Sequence, residues 1–543
     1  MEDIKLKTVP KGRTRLEQKW QVLIAVIFGI FMVILDTTVV NIAFPTLRAE
    51  FGASLNDSQW IISIYVLSIG IGTPLSGYLA NRFGMKQTYL LGLGIFIGGS
   101  FICGISPTLP ILIAARAFQG FGGGIALPLG AAFLMGTFPV SEQGLALGIF
   151  GIAALVAPAI GPILGGYLVD QGLWRYIFFI NPPIGLLGIL LGLRFLPAIK
   201  PQRKPSLDIL GLITEVIGFG AVLYAASVAA YQGWSAPNVW LWFGIGALGL
   251  AAFAIVELFF AKDPLLDLRL FGKRVFLTAS MLGYVSVIAL FGAEFLLPIY
   301  LQTIRGITAF DTGLIIVPMA ITGGIAALLA GRLYDKIGPR LLIVFGFSVL
   351  MINTWQLSQL KADTPISWIM FLLALRGVAL GSTVQTTFVT ALSVVPLPQI
   401  AFGSSLTNAT RQVVQAIGVA ILATVLVSTL SPQVAALQQR FLDMPIQPGT
   451  QPVALCSTGG NIIPTTGDGI TRVDPPATSN SDPSNNSQLM SAACDQSIAG
   501  FERAYKVTFY AAILALVLGL MLPGWPFKWA GRRAADARPP VMH

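Results

Sequence analysis

Residues 35–45 read LDTTVVNIAFP and close the first long apolar segment of the chain, which runs from about Trp20 to Phe44. At 1.5 Å of rise per residue, that segment is long enough to cross a bilayer as a helix. Asp36 is its one charged residue. An Asp in the middle of a spanning helix costs roughly 2.5–3.5 kcal/mol, so it is expected to face the protein interior or a water-filled cavity. Asp36 is therefore the first candidate for a functional group.

The composition is that of an integral membrane protein. Of the 543 residues, 55% are hydrophobic and 11% are charged, whereas soluble domains carry about 25% charged residues. A basic stretch precedes the first apolar segment, as in a signal peptide, but the segment is too long for one and no cleavage pattern of small residues follows. We therefore expect the first segment to be a retained spanning helix.

Apolar runs of about 20 residues or more, separated by Gly, Pro and charged residues, predict about fourteen spanning helices. An even count places both termini on one side. If that side is the cytoplasm, about 23 of the 34 Lys and Arg residues lie inside and about 8 lie outside, as the positive-inside rule requires. This topology accounts for the net charge of +10, so nucleic acid is not expected as a partner.

Two short patterns indicate an internal repeat. Residues 77–84 read GYLANRFG and residues 331–338 read GRLYDKIG, an offset of 254, while Arg116 and Arg376 are offset by 260. A parallel repeat of two six-helix halves explains both offsets if two further helices are inserted between the halves. When the same offset is applied to Asp36, it reaches within a few residues of Glu294. The repeat therefore predicts one buried carboxylate in each half.

The predicted domains follow from these spans, in a cell membrane with both termini cytoplasmic. Their boundaries are a basic N-terminus at 1–19, a six-helix half at 20–200, two inserted helices and linkers at 201–272, a second six-helix half at 273–527 and a basic tail at 528–543. Within the second half, residues 431–502 are rich in Pro, Ser, Thr and Asn and predict a long extracytoplasmic loop with little regular structure.

Cysteine and histidine usage limits the chemistry. Cys456 and Cys494 both lie in the long outer loop, where a disulfide between them is expected, with two free thiols as the alternative. No pair of cysteines has the spacing of a metal site, and the single histidine is the last residue, His543. We expect no metal and no cofactor, and carboxylates must carry any proton chemistry.

Five patterns, in this order on the predicted spans, resemble a known family. They are LDTTVVNIAFP at 35–45, GYLANRFGMK at 77–86, RAFQG at 116–120, APAIGPILGG at 157–166 and WRYIFFINPP at 174–183. The chain is similar to the fourteen-helix drug:proton antiporter branch of the major facilitator superfamily, over nearly its whole length except residues 431–502. The resemblance implies an all-α membrane fold and proton-driven export by alternating access.

Two of these patterns carry predictions about moving parts. The gating motif comprises Gly77, Asn81, Arg82 and Gly84, with Asp335 in its second copy; the family has Asp where this chain has Asn81, which brings no charge to the gate. The antiporter motif is predicted to seal the two halves against leak, and ordinary small-residue packing is the alternative. Its residues are Pro158, Gly161, Pro162, Gly165 and Gly166.

Asp36, Glu294 and Arg116 are the predicted proton-coupling groups. A carboxyl group removed from water binds its proton more readily, which would let it exchange protons as a cavity alternates. In the family, the arginine that matches Arg116 is linked to proton transfer. The alternatives are structural: a hydrogen bond between Asp36 and Thr37, Thr38 or Asn41, a surface position for Glu294, and a hydrogen bond between Arg116 and Gln119.

The predicted substrate cavity combines these acids with polar and aromatic side chains that could stack on a lipophilic cation. The aromatic residues, taken one at a time, fit a packed core or an interfacial belt equally well. The predicted lining is Asp36, Asn41, Trp60, Tyr65, Tyr284, Phe291, Glu294 and Tyr300.

The leading hypothesis is a proton-coupled antiporter that exports amphipathic, cationic small molecules, with protons and membrane lipids as its other partners and a monomer as its expected state. The alternative keeps the fold and moves lipid or another amphiphilic metabolite. A membrane-embedded enzyme or receptor is a third reading. An enzyme is not expected, because the chain lacks a nucleophile–base pair and a metal constellation, and no phosphate-binding loop is present to use ATP.

Overall fold

The computed structural model describes residues 17–198, 206, 208–234, 236–431, 434, 456 and 483–524, without the side chains of 55–56, 230–232, 289–295, 309, 398 and 483–490. Within these ranges the chain forms fourteen long helices and no strand. In chain order, α1 to α14 are Gln18–Glu50, Trp60–Phe83, Met85–Ile105, Leu109–Thr137, Gln143–Asp170, Asn181–Phe195, Ile209–Gln232, Pro237–Ile255, Arg274–Ile299, Ala309–Ile337, Pro339–Leu357, Ile366–Ser393, Ile400–Val427 and Pro483–Leu520.

The helices confirm the predicted fold class, an all-α integral membrane protein. In the described part of the chain, 13 helices are long and apolar enough to cross a membrane. The helix outside that set, α9, is 26 residues long. A single π-helical turn extends α8 from Val256 to Phe260, and another extends α9 from Tyr300 to Ile304.

The internal repeat is visible where α2 meets α3 and where α10 meets α11. Gly84 has a φ of 100° and Gly338 a φ of 79°, conformations that residues with a Cβ rarely adopt. Each glycine ends one helix by donating its N–H to a carbonyl of the last turn, on Ala80 and on Tyr334. The next helix starts at the following residue. The two glycines are 254 residues apart, the offset seen in the sequence.

The two ends of the bundle are defined by α1: the Gln18 end, where α1 starts, and the Glu50 end, where it stops. At the Gln18 end Lys19 forms an ion pair with Glu142 at 2.8 Å, next to the start of α5. At the Glu50 end Phe51 packs edge-on against Trp174. Successive helices cross between these ends, which the sequence predicts to be cytoplasmic and extracytoplasmic respectively.

The inserted helices α7 and α8 form an antiparallel pair with glycine at the point of closest approach. A Cβ on Gly218 would lie 2.7 Å from the backbone nitrogen of Leu250, so the two helix backbones nearly touch there. On its other faces α7 packs against α2, where the hydroxyls of Ser63 and Ser227 are 2.6 Å apart, and against α13. The inserted pair is therefore packed directly on helices of both predicted halves.

The last helix differs from its prediction. The sequence predicts a loop up to 502 and a span from about Tyr505, but α14 starts at Pro483 and is 38 residues long. The backbone carbonyl of Gln496 accepts the Thr429 hydroxyl, and its side-chain oxygen accepts the Ser431 N–H. A segment that reads as loop thus continues the helix, and the turn after α13 supplies hydrogen-bond partners for its residue Gln496.

A disulfide joins α14 to the loop before it. It links Cys456 to Cys494, with an S–S distance of 1.99 Å. The predicted termini at 1–16 and 528–543 and most of the predicted loop between 435 and 482 lie outside the described residues.

Candidate functional site

Asp36 lies at the centre of a buried polar cluster formed by α1, α4 and α6. Its Oδ2 accepts Arg116 Nη1 at 2.5 Å, and its Oδ1 accepts Gln119 Nε2 at 2.8 Å and Asn181 Nδ2 at 2.7 Å. Asp36, Arg116 and Asn181 are each 1% exposed and Gln119 is fully buried. One negative and one positive charge are therefore held together, away from solvent, by three helices.

The guanidinium of Arg116 has further contacts besides its ion pair with Asp36. Its Nη1 also donates to Gln119 Oε1 at 2.8 Å, and its Nε donates to the backbone carbonyl of Ile61 at 3.1 Å. Its guanidinium carbon lies 3.8 Å from the ring centroid of Tyr65, which is within the range of a cation–π contact. The expected hydrogen bond between Arg116 and Gln119 is present, but it is one part of a network that includes Asp36.

Asn181 and Ser100 belong to this network, and sequence reasoning gave neither of them a role. Asn181 Nδ2 donates to Ser100 Oγ at 3.0 Å as well as to Asp36, and Ser100 Oγ donates to the carbonyl of Phe178 at 2.8 Å. Asn181 Oδ1 is buried without a hydrogen-bond partner. The available signal was an isolated amide that directly precedes two prolines at the start of an apolar span.

Close packing of α3 on α4 sets the position of Gln119. A Cβ on Gly99 would lie 2.6 Å from the backbone nitrogen of Gln119, so only a glycine lets α3 approach at this level. Cys103, one turn further along α3, is fully buried and its thiol lies 3.6 Å from Gln119 Oε1. Helix packing thus places the amide of Gln119 between the carboxylate and the guanidinium.

Among the other residues predicted to line the cavity, Tyr65 belongs to the Asp36 cluster, whereas Asn41 and Trp60 lie outside it. Asn41 is exposed, five residues beyond Asp36 on α1. Trp60 stacks on Tyr224 of the inserted helix α7, with ring centroids 5.6 Å apart. The structure therefore does not bring Asn41 or Trp60 into contact with Asp36.

The predicted cavity residues on α9 and its π-helical extension also have partners away from Asp36 where their side chains are described. The Tyr284 hydroxyl pairs with Thr410 of α13 at 2.5 Å. Tyr300 is 1% exposed and donates to the carbonyl of Lys361 at 2.5 Å, which places it in packed protein near a loop. Phe291 and Glu294 lie on α9, but their side chains are outside the described residues.

The antiporter motif on α5 packs directly beside Asp36. A Cβ on Gly161 would lie 2.1 Å from Thr38 Oγ1, and one on Gly165 would lie 3.2 Å from Val39. The opposite face of the motif meets α10, where a Cβ on Gly313 would lie 3.0 Å from Pro162. With two prolines inside it, α5 therefore joins the helix that carries Asp36 to a helix of the second half.

The two copies of the gating motif make different contacts at the Gln18 end. Asp335, near the end of α10, accepts the backbone N–H groups of Gly144 and Leu145 at 3.0 and 3.3 Å. These amides lie in the first turn of α5, where no helical carbonyl is available to them. Asn81, at the equivalent position of α2, donates instead to the carbonyl of Gly77 in its own helix at 2.9 Å.

The remaining residues of the first copy pack between α2 and α13. A Cβ on Gly77 would meet Phe402 at 3.1 Å and Ser405 at 3.2 Å, and the hydroxyls of Ser76 and Ser405 are 2.7 Å apart. Arg82 Cζ lies 6.0 Å from the ring centroid of Phe83. Two of the helix pairs that join the predicted halves, α2 with α13 and α5 with α10, are therefore in close contact at this end.

Metal binding has no site in the part of the chain that the structure describes, where no group of three or more His, Cys, Asp or Glu side chains is placed to hold an ion.

Comparison with known proteins identifies the class of molecule. The family model described as Major Facilitator Superfamily matches residues 26–419. The chain is 31% identical over 427 residues to the multidrug resistance protein Stp of Mycobacterium tuberculosis, covering 78% of this chain and 79% of Stp. It is 30% identical over 417 residues to the riboflavin transporter RibZ of Clostridioides difficile, covering 77% of this chain and 90% of RibZ.

A solved structure is similar in fold. The human organic anion transporter MFSD10 aligns with 92% of this chain and 99% of its own chain, with a TM-score of 0.58 and 12% sequence identity. At that identity, the likeness concerns the arrangement of helices and not the cargo.

Proposed function

Because the chain belongs to the Major Facilitator Superfamily and is a membrane transporter, we propose that it is a proton-coupled antiporter that exports amphipathic, cationic small molecules by alternating access. The observation that carries this proposal is the buried ion pair between Asp36 and Arg116. Burying an ionised carboxylate inside a membrane costs free energy, and such residues typically have a functional role. The multidrug resistance relative supports the choice of cargo.

The coupling step that we propose is a change of partner at Asp36. The ionised carboxylate accepts hydrogen bonds from Arg116, Gln119 and Asn181 at once. A proton that binds Asp36 removes the negative charge, so the guanidinium of Arg116 is left without its counter-ion in a buried site, which is costly. Protonation therefore favours a rearrangement of α1 against α4, and a cationic substrate competes with the proton for the same carboxylate.

Movement of α1 would be transmitted through α5. Gly161 and Gly165 hold α5 against the segment that follows Asp36, and Pro162 holds it against α10. At the Gln18 end, the Asp335 cap holds the first turn of α5 to α10. A shift of α1 therefore acts on the interface between the two halves, as alternating access requires.

The test is proton-driven transport in liposomes that contain the purified protein. With an imposed pH gradient and the lipophilic cation tetraphenylphosphonium as the probe, the parent protein should accumulate the cation. Asp36→Asn should abolish this uptake, whereas Glu50→Gln, at the exposed end of the same helix, should leave it unchanged. Uptake by Asp36→Asn at the parent rate would remove Asp36 from the coupling step.

A second candidate cargo is an amphiphilic metabolite or lipid, and the similarity to a riboflavin transporter is the observation that favours it. Asp36 and Arg116 neutralise each other in the resting cluster, so a cargo without a positive charge can also be accommodated by this site. Riboflavin and a labelled phospholipid are therefore run in the same liposomes. If either compound is transported and tetraphenylphosphonium is not, the amphiphilic metabolite or lipid replaces the cation as the proposed cargo.

The orientation and the remaining partners are part of the same proposal. The excess of Lys and Arg that the predicted topology gives to the Gln18 end supports cytoplasmic termini. We propose further that the protein lies in the plasma membrane as a monomer. To check the orientation, single cysteines are introduced at the Gln18 end or the Glu50 end of the helix bundle, and intact cells are treated with a thiol reagent that does not cross the membrane. The reagent should react with cysteines at the Glu50 end alone.

A further inference from the structure

Two carboxylates lie buried in the inserted pair of helices, remote from the Asp36 cluster. Glu215 of α7 is fully buried, and Glu257, in the π-helical turn that extends α8, is 2% exposed. Neither residue belongs to a motif of the family patterns, and the mechanism above does not use them. Buried carboxylates are rare unless they are paired with a cation or a hydrogen-bond donor.

The helix packing places the two carboxylates on the same interface. Gly211 and Gly218 of α7 bracket Glu215 on one face, since they lie four residues before it and three after it. A Cβ on Gly218 would lie 2.7 Å from the backbone of α8, and one on Gly211 would lie 3.0 Å from Glu257 Oε1. Glu215 therefore points into the seam between α7 and α8, one turn from the carboxylate of Glu257.

Hydrogen bonding in this seam is incomplete. Glu257 Oε1 accepts the N–H of Leu265 at 3.0 Å, but Glu257 Oε2 and both carboxylate oxygens of Glu215 are buried without a partner. An ionised carboxylate has four lone-pair sites and no donor, so this environment satisfies it poorly. A protonated carboxyl is neutral and can be buried at far lower cost.

The charged groups on the surrounding elements do not supply a counter-ion to Glu215. Asp208, which caps α7, and Asp267, which starts the turn after α8, are themselves acidic. Arg269 directs its guanidinium to the carbonyl of Leu258. The two helices packed against α7 carry Arg82 on α2 and Arg411 on α13, and neither forms a hydrogen bond with Glu215, whose oxygens have none.

We propose that Glu215 and Glu257 form a proton-binding pair in the inserted hairpin, in which at least one carboxyl group is protonated at neutral pH. The ligand is the proton itself, held between α7 and α8 and separate from the site at Asp36. Folding of the hairpin takes up this proton, because the two groups are solvated and ionised in the unfolded chain at that pH. Stability therefore falls as the pH rises, by up to tenfold in the folding equilibrium per pH unit for each proton held.

The test compares thermal unfolding of the purified full chain in detergent at about pH 5 and about pH 8.5. The parent protein should lose stability between these values, and Glu215→Gln, which mimics the protonated acid, should lose less and be the more stable protein at the higher pH. Glu50→Gln is the matched control, because Glu50 is exposed at the end of α1. A pH dependence in Glu215→Gln equal to that of the parent would overturn the proposal.

Infrared spectroscopy gives a readout that does not depend on stability or on transport. The parent protein at neutral pH should show the carbonyl band of a buried protonated carboxylic acid, and Glu215→Gln or Glu257→Gln should reduce it. If both variants retain the whole band, the pair is ionised and a cation of the chain or the solvent neutralises it. Neither measurement requires a substrate, so this proposal can fail while the antiport proposal stands, and the reverse.

Discussion

The two predicted halves, α1–α6 and α9–α14, each bury an arginine in a polar setting. Around Arg116, α1 supplies a carboxylate, Asp36, at 2.5 Å. Arg376 is also fully buried, and the neutral side chains of Asn353 and Thr354 lie 3.3 and 3.5 Å from it. The two copies of the gating motif differ in charge, since Asp335 is acidic and caps the first turn of α5, whereas Asn81 is neutral and bonds within its own helix.

This difference shows that equivalent positions of the repeat need not make equivalent contacts. Asp335 joins α10 to the first turn of α5, whereas the described hydrogen bond of Asn81 stays within α2. We propose that the Asp335 contact holds the Gln18 end closed. Under the proposed mechanism the coupling group is a different acid, Asp36, which lies close to the helix contacts of α5.

The largest effect expected is at the two arginine sites. Asp36→Asn leaves Arg116 buried without its charge partner and should lower the free energy of unfolding by about 3–5 kcal/mol. Asn353→Ala removes a neutral partner of Arg376 and should cost about 1–3 kcal/mol. Thermal unfolding of both variants in detergent measures the difference. Equal losses would mean that removing the charge of Asp36 costs no more than removing a neutral partner of a buried arginine.

The next effect concerns one glycine of α5 and one of α13. A Cβ on Gly161 would lie 2.1 Å from Thr38 Oγ1 and 2.6 Å from Thr38 Cβ, whereas one on Gly418 would lie 3.1 Å from Ile288 Cγ1, its nearest neighbour. Gly161→Ala should therefore cost about 1–3 kcal/mol through overpacking. Gly418→Ala should be near neutral, because better helix propensity offsets a small shift of Ile288. The comparison fails if Gly418→Ala is the more damaging change.

A smaller effect is expected at the helix cap of the second half. Asp335→Ala removes the acceptor for two first-turn amides of α5 and should cost about 1–2 kcal/mol. It should also open the Gln18 end more often, which alkylation of a cysteine introduced at Leu145, half-buried in the same turn, can measure. Asn81→Ala is the matched change in the other copy, and it should leave unchanged the labelling of a cysteine at Phe402, which lies against Gly77 of that copy. If Asp335→Ala leaves the labelling unchanged, the Asp335 cap does not hold the Gln18 end closed.

The smallest effect tests whether the asymmetry can be reversed. Asn81→Asp puts an acid into the first copy, one turn beyond Gly77, whose side of α2 packs on Phe402 and Ser405 of α13. A carboxylate near the first turn of α13 should add about 0.3–1 kcal/mol of stability through the helix dipole. Thermal unfolding at low ionic strength measures the gain, which added salt should reduce. If stability falls, the first copy does not share the geometry of the second.

Much of the fold follows from the sequence because spans in a membrane depend on local apolarity. The start of α14 does not, since many residues of 483–502 are polar, and one of them, Gln496, pairs with Thr429, far away in the sequence. At the site, Asp36 and Arg116 were each recognisable as charges in apolar spans. Their direct pairing and the two donors Gln119 and Asn181 depend on the angles at which three helices pack, and spacing along the chain does not encode these angles.

The aromatic residues also show that sequence position does not reveal which side chains reach the charge pair. Tyr65 stacks on Arg116, but Trp60 packs on the inserted helix α7 and Tyr300 is fixed near a loop. In the sequence all three are aromatic residues near the ends of spans, with nothing to distinguish them. Only the three-dimensional packing separates the one that contacts the charge pair from those that fill space between helices.

In the proposed mechanism the carboxylate of Asp36 exchanges a proton for substrate. This exchange is measured as the proton release that accompanies binding of tetraphenylphosphonium to the purified protein in weakly buffered detergent solution. At saturating probe, the parent protein and Glu50→Gln should release protons and Asp36→Asn should release none. If Asp36→Asn releases as many protons as the parent protein, Asp36 is not the exchanging group.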